Sequence, residues 1–190
     1  MWYNIISNKT RYYTAMNVTL IGMPGCGKST CGILAAKIMC LSFLDTDLLI
    51  QQNEGMKLQN IINEKGGDYF AKAEEDAIIT LYTRNCVIAT GGSAVYSDAA
   101  MKYLKENSVV VYLRISFANM RSRIKNPATR GILLKDGETL QDMYNERAPL
   151  YEKYADEIID CDINDEIEKT VHKLCKCVQK YDDRDIDITI

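Results

Sequence analysis

Apolar positions along the chain alternate between short continuous runs and longer stretches with helical spacing. Residues 18–21, Val-Thr-Leu-Ile, form a run with a β-branched start bounded by Gly22, the pattern of a buried strand. From Ser29 to Cys40 the only breaker is Gly32, and Ile33, Leu34, Lys37, Ile38 and Leu41 recur at helical spacing. Residues 41–44 read as a second strand ending in Asp45-Thr-Asp47. A short helix over 56–65 carries Leu58, Ile61 and Ile62 on one face, and Gly66-Gly67 stops it. Asp68 can cap a longer helix over 69–83, whose Phe70, Ala73, Ala77 and Leu81 keep one stripe.

Residues 86–90 make a third strand closed by Gly91-Gly92, and Ser97 or Asp98 starts a helix to about Lys105. Residues 108–113 are the most uniformly apolar strand, suited to the middle of a parallel sheet covered on both faces. Ser116 caps a helix to about Lys125, and the segment 126–138, with turn residues at both ends and little periodicity, reads as a mobile loop. Residues 139–154 are helical, with a kink or break expected at Pro149. A fifth strand over 157–161 and a helix over 165–180, with Ile167, Val171, Leu174 and Val178 on one face, complete the order. Alternating strands and helices predict an α/β fold with a doubly wound parallel sheet.

The 190 residues suit a single domain over 16–180. Residues 1–15, with Lys9, Arg11 and no acid, read as an extension without assigned role, and 181–190 as a frayed acidic tail. No stretch approaches the roughly 18 uncharged apolar residues of a membrane-spanning helix. The formal charge of −3 carries no basic footprint for nucleic acid. Seven scattered cysteines match no zinc or thioredoxin spacing and read as reduced thiols of a cytoplasmic protein. A monomer working on a small molecule, with no nucleic-acid or membrane partner, is expected.

Gly22-Met-Pro-Gly-Cys-Gly27-Lys28-Ser29 fits G-x-x-x-x-G-K-[ST] between a predicted strand and a predicted helix, the context this phosphate-binding motif needs. Its glycines let the backbone approach phosphate oxygens, and the loop N–H groups with the helix N-terminus attract anions. Gly25, Cys26, Gly27, Lys28, Ser29 and Thr30 are therefore candidate ATP-binding residues, with Lys28 reaching the β- and γ-phosphates and Ser29 ligating Mg²⁺.

Ligands of open α/β sheets gather at the carboxyl ends of the strands. Asp45 and Asp47 end the second strand and, with period-two alternation, leave the same face; one suits Mg²⁺ and the other a substrate hydroxyl, although Asp-Thr-Asp is also a fair helix cap. Gly91 and Gly92 end the third strand and offer N–H groups to a polar ligand. Arg130 in the mobile loop and Arg147 on the next helix are two cations, with no acid next to Arg130.

Together these residues, from Asn17 to Asp160, resemble the shikimate kinase family of P-loop kinases. The match covers the glycine loop 22–30, Phe43-Leu-Asp-Thr-Asp47, Ala89-Thr-Gly-Gly92, Thr129-Arg130 with Ile132-Leu-Leu, and Arg147-Ala-Pro-Leu-Tyr151. The resemblance implies strand order 2-3-1-4-5 with helices on both faces, a mobile lid, and ATP-dependent phosphorylation of shikimate to shikimate 3-phosphate. It further implies Asp45 on Mg²⁺, Asp47 on the substrate hydroxyls, Arg130 on the transferring phosphate, and Arg147 on the shikimate carboxylate. Lys28, Asp47 and Arg130 would be catalytic, and Asp47, Gly91, Gly92 and Arg147 would hold substrate. The chain departs from the family where Ala71 follows Phe70 in place of a substrate-gripping arginine, where Ser93 replaces the third glycine, and where Gly131 replaces the lid proline. Two alternatives stay open: a kinase of this fold for another small hydroxylated substrate, and a nucleotide-binding regulatory protein without transfer chemistry.

Overall fold

The computed structural model describes residues 16–124, 131–135, 137–161, 167–182, 184 and 188. Among these, five parallel strands form one sheet: β1 (Val18–Ile21), β2 (Ser42–Asp45), β3 (Cys86–Ala89), β4 (Val109–Arg114) and β5 (Glu157–Asp160), in the order β2-β3-β1-β4-β5. In register, Leu20 lies between Ala89 and Val111. Consecutive strand residues face opposite sides of a sheet, and Val110, Val111, Tyr112 and Leu113 are all 0% exposed, so both faces are covered. One main core gathers these strands with helices α1 (Lys28–Ile38), α5 (Asp98–Asn107), α6 (Phe117–Arg123), α7 (Leu140–Tyr154) and α8 (Ile167–Gln179).

A smaller core joins Ile50 of α2 (Thr46–Glu54), Leu58 and Ile61 of α3 (Leu58–Lys65), and Phe70 and Ala77 of α4 (Gly67–Ile79), with Leu133 packed on it. This group of short helices stands beside the carboxyl ends of β2 and β3 and walls one side of the site described below.

Four local expectations are corrected. The strand does not run through Asp47: β2 stops at Asp45, whose carboxylate caps α2 by accepting from the N–H groups of Asp47 at 3.0 Å and Leu48 at 3.4 Å. Helix α2 escapes the apolar pattern because Leu48 is exposed and the polar run Gln51-Gln52-Asn53-Glu54 follows. Helix α4 starts earlier than residue 69 and ends at Ile79, capped by Thr80. Pro149 does not break α7. Tertiary contacts hold the helix on both sides of it: Arg147 is anchored by Tyr96 and Leu133, and Tyr151 stacks on Tyr112 at 5.1 Å and donates to the Gly92 carbonyl at 2.5 Å. The extension 1–15 lies outside the described residues, as do 126–130 and 136 of the expected loop. Of the tail, only 181, 182, 184 and 188 are described: Tyr181 donates to Glu157 at 3.1 Å and Ile188 packs against the main core.

Candidate active site

The loop between β1 and α1 takes positive φ at Gly22 (142°), Gly25 (77°) and Gly27 (103°), conformations open to glycine and strained for other residues. Gly27 caps α1, whose first turn contains no acid, so the free N–H groups face outward as an anion site. Lys28 is buried, and its Nζ donates to the carbonyls of Gly22 at 2.7 Å and Met23 at 3.1 Å, and to Cys26 Sγ at 3.7 Å. Ser29 Oγ donates to Asp45 Oδ2 at 2.6 Å. Asp45 therefore serves as helix cap with one oxygen and meets the phosphate loop with the other. Thr30 lies on the same wall. Cys26 behaves differently from the rest of the motif: its thiol is buried in the main core and its N–H is spent on Met23 at 3.2 Å.

A cavity of about 460 Å³ runs from this loop to the carboxyl ends of β2 and β3 and to α7. Its far wall holds Asp47, Glu74, Gly91, Gly92, Ser93 and Arg147, closed by Ile132 and Leu133. Gly91 is pressed from two sides, since a Cβ there would stand 2.0 Å from Glu74 Oε1 and 2.7 Å from Asp47 Oδ1. Neither carboxylate oxygen has a hydrogen-bond partner. The Gly91 N–H donates to Thr46 Oγ1 at 3.2 Å, tying the start of α2 to the end of β3. That N–H is thus committed to the fold, while Gly91 still lines the cavity.

Two acids share this wall with few compensating partners. Burial, reinforced by the neighbouring Asp45 and offset by Lys28, pushes the Asp47 carboxyl from its usual 3.8 up to about 6. Burial pushes Glu74 from 4.5 up to about 7, against a hydrogen bond from Ser93. Arg147 is 1% exposed, with Nη2 donating to the Leu133 carbonyl at 2.8 Å and Nε to the Tyr96 hydroxyl at 3.2 Å. Its Nη1 lies over Gly92, 3.1 Å from where a Cβ would be.

The expected residues Gly25, Gly27, Lys28, Ser29, Thr30, Asp47, Gly91, Gly92 and Arg147 thus meet in one cavity, with Asp45 at its edge through Ser29. Arg130 lies outside the described residues. Glu74 was not among the expected catalytic or binding residues, although the family resemblance keeps an acid there, three residues after Ala71. Its signal was present: Glu74 falls four residues after Phe70 and three before Ala77, an acid on an otherwise apolar stripe. Tyr96, which holds Arg147, had no local signal. Ala71 is exposed and lines a second cavity of about 250 Å³ that shares Glu74, Ser93 and Leu133 with the first.

The family described as Shikimate kinase matches residues 24–179. A shikimate kinase of a Sulfurihydrogenibium species is 34% identical over 136 residues, 71% of this chain and 82% of that protein. One from Clostridium botulinum is 36% identical over 165 residues, 85% of this chain and 96% of the relative. Among solved structures, the shikimate kinase of Acinetobacter baumannii in complex with shikimate superposes with a TM-score of 0.78 at 26% identity, over 88% of this chain and 95% of that one.

The chain belongs to the shikimate kinase family.

Membership makes it an ATP-dependent phosphotransferase, and the five-stranded order β2-β3-β1-β4-β5 that the resemblance implied is the order found. The glycine loop, Lys28, Ser29 and Thr30 line one end of the cavity, and Asp47, Glu74, Gly91, Gly92 and Arg147 line the other. Ser29 and Asp45 present two hard oxygens in contact, a donor set that suits Mg²⁺ completed by phosphate and water rather than an all-protein cage.

Proposed function

We infer that this chain transfers the γ-phosphoryl group of ATP to a hydroxyl of shikimate, giving shikimate 3-phosphate and ADP. The observation that carries this reading is one cavity with a phosphate loop at one end and a buried carboxylate and guanidinium at the other. The loop N–H groups and Lys28 hold the β- and γ-phosphates, and Ser29 with Asp45 would hold Mg²⁺, which when bound neutralises phosphate charge. Arg130 is assigned to the transferring phosphoryl group. Arg147 meets the substrate's carboxylate through Nη1.

Asp47 orients the attacking hydroxyl. As that oxygen bonds to the γ-phosphorus, the bond to the β–γ bridging oxygen breaks and ADP leaves. With its pKa near 6 the Asp47 carboxylate is ionised at pH 7.5 and receives the hydroxyl proton. The rest is positioning and electrostatics, which phosphoryl transfer mainly requires. The seven unpaired cysteines support a reducing, cytoplasmic setting.

A second reading, another small hydroxylated acid as acceptor, is favoured by the cavity beside Ala71. A coupled ADP-release assay with shikimate against a panel of hydroxy acids and sugars decides between them. Shikimate-dependent release above every other acceptor is expected; release with another acceptor alone would refute the first reading.

A further inference from the structure

The Arg147 guanidinium is buried, and Tyr96 lies behind it on the short 3-10 turn Ala94–Tyr96 that follows β3. The ring centroid is 5.0 Å from Arg147 Cζ, and the phenol oxygen accepts from Nε at 3.2 Å. Lys135 Nζ, which pairs with Glu146 at 2.7 Å, stands 5.6 Å from the centroid of the same ring. Burial raises the Tyr96 pKa above its ordinary value, so the phenol keeps its proton at working pH. With Nε fixed by Tyr96 and Nη2 by Leu133, Nη1 remains over Gly92, facing the acceptor end of the cavity. Among the described residues, Lys28 and Arg147 are the cations of the cavity wall, and Lys28 stands in the phosphate loop.

We propose that Tyr96 is a positioning residue that aims Arg147 at the acceptor's carboxylate and thereby sets the affinity for an anionic substrate. The proposal rests on the functional reading above. It places the determinant of acceptor affinity on the turn after β3, outside the cavity wall, beside the position where Ala71 leaves space.

Steady-state kinetics of Tyr96→Phe and Tyr96→Leu, with shikimate and with its uncharged methyl ester, test it. Tyr96→Phe keeps the ring and loses the acceptor, and KM for the acid should rise about 10-fold. Tyr96→Leu also loses the ring, adding about a further 3-fold. In both, kcat and KM for ATP should stay within about 2-fold, and kcat/KM for the ester should not move, because the ester presents no anion to Arg147. Equal losses for acid and ester would show a packing role and overturn the proposal, as would an unchanged KM for the acid. A wild-type enzyme that ignores shikimate refutes the functional reading alone; the comparison is then made on the acid of the panel that it does phosphorylate, with that acid's methyl ester. A wild type that binds no carboxylic acid in calorimetry overturns both.

Discussion

Gly91→Ala tests how the acceptor end is built. The added Cβ would stand 2.0 Å from Glu74 Oε1 and 2.7 Å from Asp47 Oδ1, against the ~3.5 Å that non-bonded heavy atoms require. The Glu74 carboxylate would have to retreat by roughly 1.5 Å. A surface glutamate could do so freely, but Glu74 is 2% exposed. Overpacking of this kind costs about 1–3 kcal/mol. For a chain of this length that lowers Tm by about 2–12 °C. The catalytic effect is larger, because Asp47 is displaced too, and a misplacement near 1 Å costs about 100-fold in kcat. Calorimetry gives the first number and ADP release the second. Adding Glu74→Ala removes the nearer atom, so the stability cost of the alanine should at least halve in that background. A Gly91→Ala protein with wild-type Tm and turnover, or one equally damaged with and without Glu74, would refute the reasoning.

Lys28→Ala should lower kcat by about 10²–10³, the loss of a preorganised donor to the transition state; unchanged ADP release from a folded variant would remove the phosphate-loop assignment. Asp47 and Glu74 both have folded pKa values above their unfolded ones, so their contributions to stability grow on acidification and are lost as pH rises through about 6 and about 7 respectively. Tm should therefore climb from pH 8 to about 5.5 while kcat/KM falls below pH 6, and Glu74→Gln should flatten the climb; a Tm that falls over that range in the wild type contradicts the assignment. Ala71→Arg would stand three residues from Glu74 beside the acceptor and should lower KM for shikimate about 10-fold, with an unchanged or higher KM pointing to a pocket rebuilt for another acid.

Much of the fold could be read directly from the chain. The phosphate loop is local: strand, glycine turn and helix are consecutive, so residue type and spacing determine their geometry. The continuous apolar run of β4 announced a strand buried on both faces, and the stripe of α4 announced its packing. The strand order came through family resemblance, because periodicity carries no information about which strand pairs with which. The rest was decided by tertiary contact. Asp45 read both as a strand-end acid and as a helix cap, and the turn into α2 makes it both, dividing its oxygens between the cap and Ser29, sixteen positions away. Pro149 reads as a break in any helix, yet α7 is held on both sides of it by Arg147 and Tyr151.

The acceptor end shows the same division. Gly91, Gly92, Asp47 and Arg147 were recognisable as residue types. That Gly91 must be glycine because two carboxylates close on it, and that Tyr96 holds Arg147 across a separation of 51 residues, depends on β3 lying between β2 and β1. Sequence alone determined the chemistry available to the site. Only the folded chain decided which groups are buried together, because burial and long-range contact, not residue type, set the pKa values of Asp47 and Glu74 and the aim of Arg147.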